Sequence, residues 1–504
     1  MLIGALAFSA PAVFAHAKMI GSKPSNRETW MQIPKAIELA FSARLQPTAM
    51  NSIVVTDQNG NRVETKNVAL SDDGKKMSVE LGEVGPGNFT VEWKALSVDD
   101  HLMNGNFTFT IAGRKTAAVP QTDAPEPDET NKTISENHKP SSQKSGTTPF
   151  QSFVRWFSYL AMMTLFGGFV FLMFVLKPAL SQSVNLNKVE NLGAFGQSNK
   201  QFTRLTRLSL FVIFASAFVS LILQTSSLLD VSITQAVAPS NLLRVLTGTA
   251  FGAPWLLQIA ATLAIAATTF FFSRKLNDDS AKNLLSSGQP LLWIGLVLSA
   301  FLLLSLSLTG HARAAQEDYK FAVFADWLHL VAAGIWVGGI FHLVLTMPKS
   351  VSCLQNATRL SVLSRVISRF SSLAVACTIL LALTGIYNSW IHLAGFRDLY
   401  NTTYGIILLL KIILFLVMLP LGGFNRFFIR PRVEKLVGDS NSADYSRTEK
   451  DFRLVLYLEA AFAATILLFA AILAFLPHSQ EHHGMKNDGG NPKQLIAVKR
   501  VQVN

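Results

Sequence analysis

Cysteine is nearly absent: Cys353 and Cys377 are the only two in 504 residues. Both lie in or beside apolar stretches, so disulfides do not staple any exported part of the chain. Charge is also scarce, at 15% against 50% hydrophobic residues, and with a mean hydropathy of +0.33 this excludes a soluble enzyme. Acidic residues are the scarcer sign, 32 against 44 Lys and Arg. The net charge of +12 would suit a nucleic-acid binder if one folded face collected it, but the excess lies in loops between apolar runs. What remains is a membrane protein carrying a soluble part, with the lipid bilayer as a partner and no nucleic acid.

Residues 2–9 form a short apolar run, and Val13-Phe14-Ala15 puts small residues where a signal peptidase reads. Residues 1–15 are therefore expected to be a signal peptide whose cleavage leaves His16 as the mature N-terminus. No Lys or Arg precedes Lys18, so the basic n-region usual in such signals is missing. Retention of residues 1–15 would deprive His16 of a free amine.

Residues 16–113 read as a small all-β domain. Ile53–Thr56, Met77–Leu81, Phe89–Trp93 and Phe107–Ile111 alternate or are β-branched, and turn-rich pieces such as Asp57–Asn61, Asp72-Asp73-Gly74 and Gly85–Asn88 separate them. Short strands at this spacing predict a β-sandwich or Greek-key barrel. The loop expected from Leu96 to Asn106 joins the last two strands, and His16 reaches it only if the first strand begins at that end. From 114 to 149 the chain is rich in Pro, Ser, Thr, Asn and charge with almost no large apolar residues, a composition for a disordered linker. At about 5–6 Å times the square root of its length, it would have an end-to-end distance of about 30–35 Å.

Eight apolar stretches follow near 153–176, 205–226, 253–273, 290–309, 321–346, 370–391, 404–424 and 454–476. Each is long enough to cross a hydrocarbon core of about 30 Å as a helix. The loops at 177–204, 274–289, 347–369 and 425–453 hold many Lys and Arg, whereas the alternate loops hold only Arg244, Arg313, Lys320 and Arg397. The basic loops are therefore expected in the cytoplasm, with the β-domain and the C-terminus outside.

Several polar residues bear on chemistry. His16 with a free amine offers two nitrogens to one metal, and Asp99 and His101 of Asp99-Asp100-His101 could complete a square of nitrogen and oxygen donors, the set that selects Cu(II). The competing reading is that such a tripeptide merely forms a surface turn. Asp326 and His329 lie one turn apart near the outer end of the fifth span, so they should face the bundle interior or a wet cavity. His311 and His392, at the outer ends of the fourth and sixth spans, are expected at about the same depth. All four are candidates for a transport pathway, the alternative for each histidine being a plain interfacial contact. His342 lies about 20 Å further along the fifth span. Lys411 is mid-span and needs a carbonyl or acid partner. Gly334, Gly338 and Gly339 around Trp336 read as helix packing. Met162, Met163 and Met173 of the first span could offer thioethers to Cu(I) or simply pack. His478, His482, His483 and Met485 make a histidine-containing external tail, residues 477–504, with weaker metal-binding potential.

The chain resembles a fusion of the CopC and CopD copper resistance families. The CopC resemblance covers about 16–112 through His16-Ala17, Ile33-Pro34 to Phe41-Ser42, Val54–Asp57 and Ser97–His101. It implies a cupredoxin-like β-barrel holding one Cu(II) through His16, Asp99 and His101. The family's methionine-rich Cu(I) site is not expected, since Met50 stands alone there. The CopD resemblance covers 150–476 through Gly310-His311-Ala312, Asp326–His329, Trp336–Gly339, Arg369–Ser371, Thr384-Gly385, Thr403–Gly405, Lys411 and Asn425-Arg426. It implies an all-α membrane bundle that passes copper, inward, across the plasma or inner membrane, in copper homeostasis and resistance rather than as an enzyme. Neither a P-loop nor a DKTG motif is present, which argues against a copper ATPase. The rivals are a membrane redox or haem protein with His329 and His392 as axial ligands, and a copper chaperone or sensor without transport.

Overall fold

The computed structural model describes residues 19–42, 44–65, 67–98, 102–112, 149–182, 188–278, 289–309, 319–393, 395–436 and 442–476. These divide into two units, a β unit ending at residue 112 and a helical unit beginning at Pro149. The signal peptide, the linker and the histidine-containing tail expected from the sequence lie outside the described residues.

The β unit consists of β1 (Met19–Lys23), β2 (Thr29–Trp30), β3 (Ala36–Phe41), β4 (Ser52–Thr56), β5 (Ala69–Leu70), β6 (Lys76–Glu80), β7 (Gly87–Leu96) and β8 (Leu102–Ile111). They form two four-stranded sheets in the orders β1-β3-β6-β5 and β2-β8-β7-β4. Period-two alternation makes the core, because Ile37, Leu39 and Phe41 of β3, Phe89, Val91 and Trp93 of β7, and Phe107 and Phe109 of β8 all point inward. Phe41 meets Trp93 edge-on at 5.4 Å and Phe89 stacks on Phe109 at 5.2 Å. Gly105 sits opposite Trp93 in the register, and a Cβ there would lie 2.8 Å from the indole, so the ring occupies the space that a side chain would take.

Two ends of this sandwich matter. Met19 opens β1 opposite Phe41 at the end of β3. The chain just beyond Phe41 then binds the end of β7: Gln46 N donates to Leu96 O at 2.8 Å, and Val98 N donates to Arg44 O at 3.0 Å. The first strand and the β7–β8 connection therefore meet at one end of the domain. That connection is shorter than expected, since β7 runs to Leu96 and β8 restarts at Leu102 and the two pair throughout, Leu96 with Leu102. The residues expected in an 11-residue loop are instead mostly laddered, because their alternation continues to the turn.

Glu64 fixes the opposite, turn-rich side. Burial pushes its carboxyl up, but the Val55 N–H at 3.0 Å and the Arg62 guanidinium at 2.6 Å outweigh this and hold it below its ordinary value. A folded-state value below the unfolded one means stabilisation that is complete above the unfolded value and disappears as pH falls through the folded one. Glu64→Gln should cost the β unit about 1–3 kcal/mol at neutral pH. The gap to the parent should close in acid, as read by denaturant melts at several pH values.

The helical unit has eight helices long and apolar enough to span a membrane: α1 (Pro149–Ser181), α2 (Gly193–Leu229), α3 (Gly252–Lys275), α4 (Gln289–Thr309), α5 (Lys320–Leu345), α6 (Thr358–His392), α7 (Thr403–Leu436) and α8 (Arg447–Leu473). α1 is central, with 83% of its most apolar window buried against 17% for α7, which therefore presents most of its surface to lipid. α1 and α5 approach backbone to backbone. A Cβ at Gly167 would run into Gly334 O and Gly338 Cα, and one at Gly338 would run into Met163 O. Met162 and Met163 are fully buried in this contact and Met173 nearly so, so all three act as packing residues. At the far end, Arg359 of α6 binds Glu449 of α8 at 2.8 Å, and Ser364 of α6 donates to Glu434 of α7 at 3.3 Å. Gly338→Ala should lower stability by about 1–3 kcal/mol in detergent melts. Gly196→Ala, with nothing within 4 Å of its added Cβ, should leave the melt unchanged or raise it slightly.

Candidate functional site

His16, Asp99, His101, His311, His478, His482, His483 and Met485 lie outside the described residues. The chain points that lead to His16 and to Asp99–His101 are described, namely Met19 and Val98, and both lie at the β3–β7 junction. Met50 is 8% exposed and belongs to the interior rather than to a surface thioether site. Among the described residues, no three His, Cys, Asp or Glu side chains gather as a metal site.

The polar residues around Asp326 and His329 do converge. Asp326 and His329 project together from α5 toward α6. His329 Nδ1 lies 2.9 Å from Thr384 Oγ1, and Asn388 Nδ2 donates to Asp326 Oδ1 at 3.5 Å. Thr384 and Asn388 are four apart on α6 and so share a face, which His392 continues one turn later. From α7, Lys411 faces the Asp326 carboxylate beyond direct ion-pair distance, and Tyr404 lies within reach of the same charge. Tyr159 of α1 also lies within reach of the Asp326 charge. The buried Ser307 hydroxyl of α4 lies beside Asp326 without making a hydrogen bond of ordinary geometry. Asp326 is thus the acid nearest in influence to Lys411, without an ion pair between them.

One hydrogen-bond chain fixes the chemistry of His329. Thr384 has a single hydroxyl hydrogen, and it goes to Leu380 O at 2.6 Å. Thr384 Oγ1 can therefore only accept from the imidazole, so His329 carries its proton on Nδ1. Among the described residues nothing donates to its Nε2, which therefore keeps a lone pair of the kind with which a neutral histidine binds a metal. Asp326, one turn earlier, is the nearest anionic group on the same helix.

The expectation that His329 and His392 lie at one depth is corrected. His329 is level with Thr384, eight residues before His392 on α6, a separation of about 12 Å along the helix. His392 instead faces Tyr404, with ring centroids 6.4 Å apart. This offset speaks against a haem held between the two imidazoles. His342 lies in a different environment: its Nε2 donates to Thr164 O at 3.1 Å, its ring stacks on Phe171 at 5.8 Å, and it is 3% exposed. That nitrogen is occupied, and the residue packs α5 against α1 at Gly168.

Thr384 entered the sequence reading only through the family resemblance, and Asn388 and Ser307 not at all. The polar spacing Thr384, Asn388, His392 on an otherwise apolar helix was the available signal.

Three family profiles match, one after another, along the chain: CopC domain over 19–112, Copper resistance protein D-like, N-terminal domain over 147–320, and Copper resistance protein D over 364–473. Copper resistance protein C of Escherichia coli is 32% identical over 120 residues, which cover 90% of that protein and 22% of this chain. The chain belongs to the CopC–CopD copper resistance family. Copper transport protein CutJ of Bacillus subtilis (strain 168) is 27% identical over 482 residues, 94% of this chain and 77% of that protein, so the match runs through both units of this chain. Copper resistance protein D of Pseudomonas syringae pv. tomato is 28% identical over 337 residues, 66% of this chain and 98% of that protein. In this family the β unit is the CopC part and the helical unit the CopD part of a multi-pass membrane protein.

The tautomer is directly measurable. In the full-length protein labelled with ¹⁵N-histidine, His329 should give the Nδ1–H signature. Thr384→Val, which removes the acceptor but keeps the shape, should shift it toward a mixture or toward Nε2–H. An unchanged signature in the variant would mean that another group sets the proton.

Proposed function

We propose that this protein binds copper outside the membrane and passes it inward across the plasma or inner membrane, contributing to copper homeostasis and resistance. The free Nε2 of His329, in a cluster that already contains the Asp326 carboxylate, carries this reading. In hydrocarbon an unpaired acceptor is costly, and it is retained where a cation is to be received.

The external receiver is a single Cu(II) site formed by the His16 amine and imidazole with Asp99 and His101. The meeting of β1 and the β7–β8 connection at one end of the sandwich supports this ligand set, because the described neighbours of the donors in sequence, Met19 and Val98, both lie at that end. The ion-paired ends of α6, α7 and α8 lead into the basic loops. The positive-inside bias sets that end in the cytoplasm, so the β unit, the outer cluster and the C-terminus are extracytoplasmic. Copper held by the β unit is then on the same side as Asp326 and His329, with His311 and His392 as further pathway residues. Among the relatives, CutJ bears the name of a copper transport protein and the CopC and CopD proteins those of copper resistance proteins.

Proteoliposomes holding the purified chain should accumulate copper. His329→Ala should reduce accumulation at least about tenfold, the upper part of the range for losing a metal ligand or its support. External Cu(II) binding should be intact in the same variant. Blocking the N-terminal amine should weaken Cu(II) binding far more than replacing His138 does, and binding should fail in acid, where the amine and imidazoles keep their protons. Normal copper movement in His329→Ala would remove the outer cluster from the path, and unchanged affinity in an N-terminally extended form would rule out the amine ligand.

A further inference from the structure

The inner half of the bundle holds a carboxyl with no charged partner. Glu459, six residues or about 9 Å past Arg453, the last basic residue of α8, is 4% exposed. Its Oε2 accepts from Asn425 Nδ2 at 3.2 Å, and the bare backbone of Gly422 leaves room beside Oε1. Asn425 is 7% exposed and opens the π-helical turn Asn425–Ile429 of α7. Its Oδ1 is buried and has no hydrogen-bond donor.

No other hydrogen bond or ion pair is made by either side chain among the described residues. The helices packed on α8 carry titratable groups: Lys411, Tyr404, Arg426, Arg430, Arg432, Glu434 and Lys435 on α7, Arg155, Tyr159 and Lys177 on α1, Lys320, Asp326, His329 and His342 on α5, and Arg359, Arg365, Arg369, Cys377, Tyr387 and His392 on α6. None of them pairs with Glu459, and neither do Glu449, Lys450, Asp451, Arg453 or Tyr457 of its own helix.

Two facts then fit one missing atom. A buried carboxylate without a cation is expelled or neutralised, and a buried amide oxygen without a donor is an unmade hydrogen bond. A proton on the carboxyl resolves both: it neutralises Glu459, and its O–H is the kind of donor that Asn425 Oδ1 lacks, while Asn425 Nδ2 donates to Oε2. We propose that Glu459 and Asn425 form a proton-binding site in the inner half of the membrane. Its carboxyl is neutral at neutral pH and exchanges its proton with the cytoplasmic side. On the copper-passage reading, on which this last role rests, the O–H bond breaks, the proton goes to water, and the carboxylate left behind balances one unit of the arriving cation's charge.

Infrared difference spectra of the full-length protein in liposomes, recorded through a pH titration, test the site without any transport assay. A protonated-carboxyl C=O band should be present at neutral pH, disappear as pH rises, vanish in Glu459→Gln and shift in Asn425→Ala. Asp326→Asn serves as the control that leaves this band in place. Glu459→Gln is isosteric with the neutral acid, so its melt should match the parent's at neutral pH. Protonated-carboxyl bands unchanged in Glu459→Gln would overturn the proposal. In proteoliposomes with an entrapped pH dye, copper should drive a proton signal in the parent and at least about tenfold less in Glu459→Gln, with external Cu(II) binding equal. Copper movement without a proton signal in the parent would overturn the exchange role while leaving copper passage standing. Absence of copper movement in the parent would sink the passage reading and the exchange role together, and the proton site itself would then stand or fall by its infrared band.

Discussion

The close approach of α1 and α5 is the contact on which the rest of the membrane unit depends. Lipid tails are as apolar as leucine, so helices in a bilayer gain nothing from hiding apolar surface and must gain from dispersion at short range. Gly167, Gly334 and Gly338 permit that range, since a methyl at any of them would strike the opposite backbone or the Phe166 ring. The contact also sets the rotation of α5. With its glycine face against α1, the face carrying Asp326 and His329 is presented to α6 and α7, and His342 is delivered to Thr164 and Gly168. A different rotation would send a carboxylate and two imidazoles into hydrocarbon.

Once that rotation is fixed, the polar groups separate by depth into two kinds. His342 is closed: its Nε2 proton is spent on a carbonyl and its ring lies against Phe171 and Phe202. His329 instead donates from Nδ1 to Thr384 and keeps its lone pair on Nε2, beside the polar side chains of Asp326 and Asn388. The two residues are chemically identical and lie on one helix. Both rings donate one N–H to an acceptor, so they differ in which nitrogen keeps its lone pair, Nε2 in His329 and Nδ1 in His342, and in what surrounds it.

Much of this architecture was legible in the residues. Strands β4, β6, β7 and β8 were visible as alternation, and all eight spans as apolar runs bounded by basic or polar loops. The small-residue seam around Trp336 was also correctly read as packing. What escaped was set by contacts between elements. The β7–β8 ladder continues to Leu96 and Leu102 because cross-strand pairs form wherever the register allows, and local composition in that stretch suggested a loop. The depth of His392 relative to His329 depends on how α6 slides along α5, which no pattern within either helix specifies. Glu459 was visible as a lone acid in an apolar helix, but its meaning came only from Asn425, 34 residues away.

Lys411 gives the outer cluster its character. An ammonium and a carboxylate in one apolar pocket nearly cancel, so the empty cluster is inexpensive to keep in the membrane. On the proposed function, a copper cation arriving at His329 would meet both, Asp326 attracting it and Lys411 repelling it, in a medium where such terms are several times stronger than in water. A site with the carboxylate alone would bind more tightly and release more slowly. Passage needs binding strong enough to admit the ion and weak enough to let it go. On that proposal the lysine, facing Asp326 from beyond ion-pair distance, would keep the cluster a stopping point on a path rather than a storage site.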